Sequence, residues 1–281
     1  MQIIERCDLL WEALNDTKIK GGKIHLIPTM GALHEGHISL VNHTLNKDAL
    51  VVVSLFVNPS QFNESKDLSN YPRTFEADKE KLELAGCNIL FFPSEDEVYP
   101  KRVDPNYNLD GLDATMEGRF RPGHFQGVVQ VVDRLFSIVK PDSAFFGQKD
   151  FQQLSIVRHM MAKLGHRTNV IGSPTIREVS GLAMSSRNTL LTAKARSDSS
   201  IIFQVLKQIR IEYINGLGID QIIRSGSNII NRAEGFEVEY LEIVDPTRLT
   251  GIQKNENKPA IACIAAHVEG VRLIDNLTLI A

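Results

Sequence analysis

The sequence predicts an α/β protein: a Rossmann-like parallel-sheet domain followed by a smaller C-terminal α+β domain. Three observations predict it. Over roughly the first 175 residues, short β-rich apolar runs alternate with stretches of helical spacing. One of those runs, Ala49–Val57, is almost continuously apolar, as strands buried on both faces are. Beyond Pro174 the rhythm changes, and three strand-like segments follow one another with no helix between them. The chain has 281 residues and is 43% hydrophobic, enough for two cores. We therefore expect domains over 1–175 and 176–281.

The elements follow in order. Lys23–Thr29 reads as a strand and Gly36–Asn46 as a helix, and Ala49–Val57 is the second strand. Thr74–Ala85 has helical spacing and ends at Gly86, placed as a C′ glycine. Asn88–Phe92 is a short strand stopped by Pro93, and His124–Val139 a helix stopped by Pro141. Ser143–Phe146, the Asp150–Leu164 helix and the strand Thr168–Ile171 complete the βαβα pattern. In the second part, Ala193–Ile214 and Ile219–Ala233 read as helices, and Phe236–Val244, Ala260–His267 and Val271–Thr278 as strands. Apolar alternation in Phe236-Val238-Tyr240 slips phase at Leu241-Ile243, which predicts a bulge. Lys254–Lys258 is a polar connection.

Composition narrows the function classes. Lys and Arg number 31 against 34 Asp and Glu, a net charge of −3, so nucleic acid is not an expected partner. Three scattered cysteines without a CxxC pair argue against a disulfide framework and point to a reducing, cytoplasmic compartment. No apolar run approaches membrane-spanning length, and no membrane partner is expected. GxxxxGK[ST], a GxGxxG after the first strand, and GxSxG are all absent, which sets aside P-loop, dinucleotide and nucleophile-elbow chemistry.

The chemistry-bearing residues cluster at predicted strand ends. After the first strand comes Thr29-Met30-Gly31-Ala32-Leu33-His34-Glu35-Gly36-His37, two histidines three apart among glycines at a helix start. Amides at a helix N-terminus favour anions, glycine lets the backbone approach a ligand, and imidazoles donate hydrogen bonds to phosphate oxygens. The same residues also suit plain helix capping, or a pair of zinc ligands lacking a third. Gly147-Gln148-Lys149-Asp150 follows another strand, where open α/β sheets bind ligands, with Gln153 one turn on. Met184-Ser185-Ser186-Arg187 offers hydroxyls and a guanidinium suited to bidentate phosphate binding. Gln61, after the second strand, presents an amide that both donates and accepts. Arg119–Phe125 reads as a basic loop before a helix. Asp78 reads as part of a solvated helix face, with assistance to Mg²⁺ as the alternative.

Six ordered motifs resemble the pantoate–β-alanine ligase (pantothenate synthetase) family of HxGH nucleotidylyltransferase-like proteins. They are Pro28–His37, Phe56–Phe62, Tyr71–Arg73, Arg121–Phe125, Phe146–Asp150 and Met184–Asn188. The resemblance runs from about residue 24 to 190. It implies a Rossmann-like catalytic domain, a C-terminal lid domain and a homodimer. It also implies condensation of pantoate with β-alanine using ATP and Mg²⁺, through a pantoyl adenylate. By position, Met30, Gly31, Ala32, Leu33, His34, Glu35, Gly36 and His37 would line ATP, with His37 catalytic. Gly147, Gln148, Lys149, Asp150, Met184, Ser185, Ser186 and Arg187 would hold ATP too, and Ile176 would meet adenine through its backbone. Gln61 would contact pantoate and β-alanine, and Gln153 pantoate. His34, Lys149 and Arg187 would join His37 in offsetting charge during adenylation.

Overall fold

A computed structural model of the chain describes residues 1–44, 49–62, 68–69, 71–101, 104 and 106–281, and the structural statements below concern these. They form two compact units that interleave in sequence. The first holds 1–109, 121–148 and 153–174, and the second 110–120, 149–152 and 175–281. Two short segments thus group with the second unit although they precede residue 175.

The first unit is built on a six-stranded sheet: β1 (Gln2–Ile4), β2 (Lys23–Thr29), β3 (Ala49–Leu55), β4 (Ile89–Phe91), β5 (Ser143–Gly147) and β6 (Asn169–Ser173). The order is β1-β4-β3-β2-β5-β6, with every pairing parallel. Helices α1 (Cys7–Ile19), α2 (Glu35–Thr44), α3 (Phe75–Leu84), α4 (Glu95–Val98), α6 (His124–Val139) and α7 (Phe151–Lys163) accompany it. On one face, Leu40 and Val41 of α2 and Leu82 of α3 pack with Ile27, Val51, Val53, Leu55 and Phe145. The other face carries α1 and α6, which touch each other and β2. Trp11 Nε1 donates to Ile138 O at 2.9 Å between them. Burial from both sides is why β3 reads as an almost unbroken apolar run, while β2 buries Ile24, Leu26 and Ile27 together with His25. The chain leaves β2 toward β3 on one side and later returns to β5 on the other. The topological switch therefore lies between β2 and β5, where such sheets open a crevice at the strands' carboxyl ends.

The second unit has an antiparallel sheet of β7 (Phe236–Val244), β8 (Ala260–Val268) and β9 (Val271–Ile280), in that order. One face packs on α9 (Ser200–Ile214) and α10 (Ile219–Asn231), with Val205, Leu206, Ile209, Ile222 and Ile230 against Leu241, Ile243, Ala262 and Ile264. Gly226 lets α10 come close, since a Cβ there would sit 3.0 Å from Leu241 Cδ2. The other face holds α5 (Met116–Phe120) through a buried ionic network. Arg272 donates to both oxygens of Glu117 at 2.8 and 2.7 Å, Tyr240 donates to Glu117 at 2.8 Å, and Glu239 also accepts from Arg272. Burial opposes the Arg272 charge, but its hydrogen bonds to the carboxylates of Glu117 and Glu239 outweigh it and raise the guanidinium's pKa.

Most element boundaries lie within two or three residues of those expected, with three corrections. The expected single helix over Ala193–Ile214 is two, α8 (Ala193–Asp198) and α9. They join at buried Ser199, whose Oγ bonds back to Ala195 O at 2.7 Å, in a Ser- and Asp-rich stretch that competes with helix. The bulge falls between Val238 and Tyr240, a little earlier than the phase slip suggested. Among the described residues, β1, α1, α4 and α5 have no counterpart in the sequence reading, nor do three short 3₁₀ turns. Asn46, the expected end of α2, lies outside the described residues.

Candidate active site

The turn from β2 into α2 is organised by the two histidines themselves. Gly31 and Ala32 both have positive φ, +90° and +51°, which bends the chain sharply at the strand's end. His34 then caps α2: its carbonyl accepts from His37 N at 2.8 Å, and its Nδ1 accepts from Gly36 N at 3.1 Å. In return, His37 Nδ1 accepts from His34 N at 3.3 Å. This is a reciprocal capping box in which imidazoles replace the usual hydroxyl and carboxylate. The rings lie 4.1 Å apart between centroids. A nitrogen that accepts an amide hydrogen bond carries no proton, so both neutral rings hold theirs on Nε2. The helix capping expected of these residues is thus met through Nδ1 of both rings.

A second cluster surrounds Gln61, the last residue of a 3₁₀ turn (Pro59–Gln61) beyond β3. Gln61 is buried, with Nε2 at 2.7 Å from Met30 Sδ, which links the β3 turn to the histidine turn. Asn58, wholly buried, donates to Gln61 Oε1 at 3.3 Å and to Gly127 O at 3.0 Å. Its own oxygen accepts from Ser60 Oγ and Tyr99 Oη, each at 3.0 Å. Burial pushes the Tyr99 phenol's pKa up, so it stays a donor. His124 Nδ1 lies 2.8 Å from Gln61 O. The Gln61 amide is therefore fixed by a buried network rather than left to rotate. Asn58, Tyr99 and His124 were not singled out individually, although Asn58 and His124 stand inside the quoted motifs.

Gly147 ends β5, Gln148 opens a 3₁₀ turn, and Gln153 lies half-buried in the first turn of α7. The remaining candidates belong to the second unit. Lys149 Nζ stands 3.9 Å from Asp150 Oδ1, and the Lys149 carbonyl accepts from Asn276 Nδ2 at 2.8 Å. Ile176 O accepts from Met184 N at 3.0 Å, closing a short hairpin bridged at Arg177 and Ala183. Arg177 anchors that hairpin, paired through both nitrogens with buried Asp275 and stacked 3.6 Å over the Phe203 ring. Ser185 caps the turn Ser186–Leu190 by accepting from Arg187 N at 3.3 Å. Asn188 ties the turn to Glu178 at 2.8 Å. The serine–arginine loop is thus a braced element.

Two expectations change. Arg119–Phe125 is not one loop, because Arg119 and Phe120 end α5 while Gly123, at φ +83°, caps α6, which His124 begins. Asp78 is not on a solvated face; it is fully buried, and its two oxygens accept from Ala32 N at 2.9 Å and Leu33 N at 2.7 Å. Among the described residues, no three His, Cys, Asp or Glu side chains converge as a metal cage would.

Fold and site together define a class: an α/β protein that gathers imidazoles, amides and a fixed glutamine at the carboxyl ends of parallel strands flanking the switch point. The chain belongs to the pantoate-beta-alanine ligase family, whose sequence model matches residues 2–278. Pantothenate synthetase of Bacteroides fragilis is 42% identical over 278 residues, 99% of this chain and 98% of that one. The crystal structure of pantothenate synthetase from Thermus thermophilus is 38% identical and superposes with a TM-score of 0.90 over the whole of both chains. The pantoate-beta-alanine ligase of Francisella tularensis, solved in complex with beta-gamma ATP and beta-alanine, is 32% identical with a TM-score of 0.80, covering 99% of this chain and 98% of that one.

Proposed function

We infer that this protein joins pantoate to β-alanine with ATP as the driving substrate, through a pantoyl adenylate, releasing pyrophosphate and AMP. The observation that carries the residue-level reading is the histidine capping box, which fixes both imidazoles through Nδ1 beside a helix N-terminus. Pantoate's carboxylate attacks the α-phosphorus, and pyrophosphate leaves. Both reactants are anions, so repulsion opposes the encounter. In this reading His34 and His37 donate to phosphate oxygens, while Lys149 and Arg187 supply positive charge, and together they stabilise the charge of the in-line transition state. Met30–His37, Gly147–Asp150, Ile176 and Met184–Arg187 line the nucleotide. Gln61, pre-oriented by Asn58, and Gln153 hold pantoate, and much of the rate gain is positional. The neutral amine of β-alanine, also within reach of Gln61, then attacks the acyl carbon and expels AMP.

Mg²⁺ belongs to the substrate, MgATP, where it neutralises phosphate charge; such an ion keeps mostly phosphate and water ligands. Asp78 has both oxygens engaged by amides, so we place the ion on the nucleotide. We further propose a cytoplasmic homodimer, for which the support is the family resemblance and the reduced cysteines. The test is pantoate-dependent exchange of label between pyrophosphate and ATP, followed by addition of β-alanine. Exchange that requires pantoate, then AMP and pantothenate that require the amine, support the reading. Exchange without pantoate, or none at all, overturns it.

A further inference from the structure

We propose that Asp78 is a positioning residue for the paired histidines, its buried carboxylate fixing the left-handed turn that sets their spacing and tautomers. The proposal rests on the reading above for its kinetic arm only. Gly31 and Ala32 occupy positive φ, and alanine adopts that region reluctantly, so something must hold the turn. Asp78, in the first turn of α3, accepts from the amides of Ala32 and Leu33 with its two oxygens, at full burial. Three residues on, on the same face of α3, Lys81 Nζ donates to Leu33 O at 2.5 Å.

The consequence lies in one peptide plane. Leu33 O and His34 N–H are opposite edges of the same rigid amide. Lys81 holds the first edge, and the second donates to His37 Nδ1 at 3.3 Å. Asp78 holds the amides immediately upstream. One short helix thus clamps the turn from both polarities, and its grip reaches the hydrogen bond that keeps the His37 proton on Nε2. Both Asp78 oxygens are taken up by these amides, so Asp78 acts through the turn, as a positioning group rather than a catalytic one.

Asp78→Asn nearly preserves volume but turns one acceptor into a donor facing an amide, so one N–H loses its partner. The expected result is a fall of about 10- to 100-fold in kcat for pantoate-dependent exchange, the scale of misplacing a reacting group by about 1 Å. The KM for MgATP and the Mg²⁺ concentration giving half-maximal rate stay close to the wild-type values. In ¹⁵N spectra of the protein without substrates, the imidazole resonances of both His34 and His37 shift. Lys81→Met, at an exposed position compatible with folding, shifts the same resonances with a smaller loss of kcat. Wild-type kcat in Asp78→Asn overturns the proposal. So does recovery at raised Mg²⁺, which makes Asp78 a metal ligand, or unmoved imidazole resonances in both variants. If wild-type protein shows no pantoate-dependent exchange, the functional reading fails, and the spectra still decide the clamp.

Discussion

Gly127→Ala tests whether the Gln61 turn is held as tightly as its contacts indicate. Gly127 lies in α6, directly under the turn. A Cβ built there would stand 2.3 Å from Ser60 O, 2.5 Å from Ser60 C and 2.6 Å from Gln61 N. Ordinary contact for such atoms is about 3.5 Å, so helix and turn must separate by roughly 1 Å. The obstruction is backbone, so no side-chain rotation relieves it. The separation also strains the bonds that join the two elements, Asn58 Nδ2 to Gly127 O at 3.0 Å and His124 Nδ1 to Gln61 O at 2.8 Å. Overpacking of this kind costs about 1–3 kcal/mol. Displacing an amide by about 1 Å from the place proposed for holding pantoate lowers turnover on the order of 10²-fold. We therefore expect kcat/KM for pantoate to fall by about that factor, with a lowered Tm, about 2–4 °C per kcal/mol in domains of comparable size. Pantoate titrations of the exchange reaction, paired with calorimetry, give both numbers. Wild-type kcat/KM for pantoate together with wild-type Tm would refute the reasoning.

Three further outcomes are expected. Lys149→Ala should slow adenylate formation far more than the reaction of preformed pantoyl adenylate with β-alanine, because the lysine's proposed work is on phosphate charge; equal losses in both single-turnover steps would remove that role. Glu117→Ala leaves Arg272 with one of its two carboxylate partners in a mostly buried site. Breaking a buried pair costs about 3–5 kcal/mol, and the lower end applies because Glu239 remains; an unchanged urea midpoint would contradict it. Burial, then the Glu97 carboxylate, pushes the Cys7 thiol up to about 12, and burial pushes Cys87 up to about 11. The native state thus holds both protons more tightly than the unfolded chain, and that stabilisation, complete below about pH 9, is lost as pH rises through the native values. At pH 8 native Cys87 should alkylate at least about 10²-fold more slowly than in urea, following thiolate fraction; equal rates by mass spectrometry would exclude this.

Much of the first unit was legible because its information is local. The run at β3 is almost wholly apolar on both faces, so sequence shows it directly. The histidine turn announces itself through glycines and a fixed spacing. The rest depends on contacts distant in sequence. Asp78 sits among Glu76, Lys79, Glu80 and Lys81, and its neighbours suggest a solvated face; only the packing of α3 against the turn at Ala32 reveals a clamp. Glu117 and Arg272 are 155 residues apart, and no pattern near either one names the other. In α1 the buried stripe is only Leu10 and Leu14, while Leu9 and Trp11 are exposed beside it, which blurs the helical period. In sequence, His34 and His37 suit helix capping as well as phosphate recognition, and only the geometry of Nδ1 reveals the capping.

The central claim is that pantoate is activated as an acyl adenylate, and isotope transfer tests it most directly. With ¹⁸O in both carboxylate oxygens of pantoate, attack on the α-phosphorus places one of them in the bridge, and the amine then expels it with AMP. Mass spectrometry should find one ¹⁸O in the AMP phosphate for each pantothenate formed, and none in pyrophosphate. Unlabelled AMP, or label released in inorganic phosphate, would contradict the account.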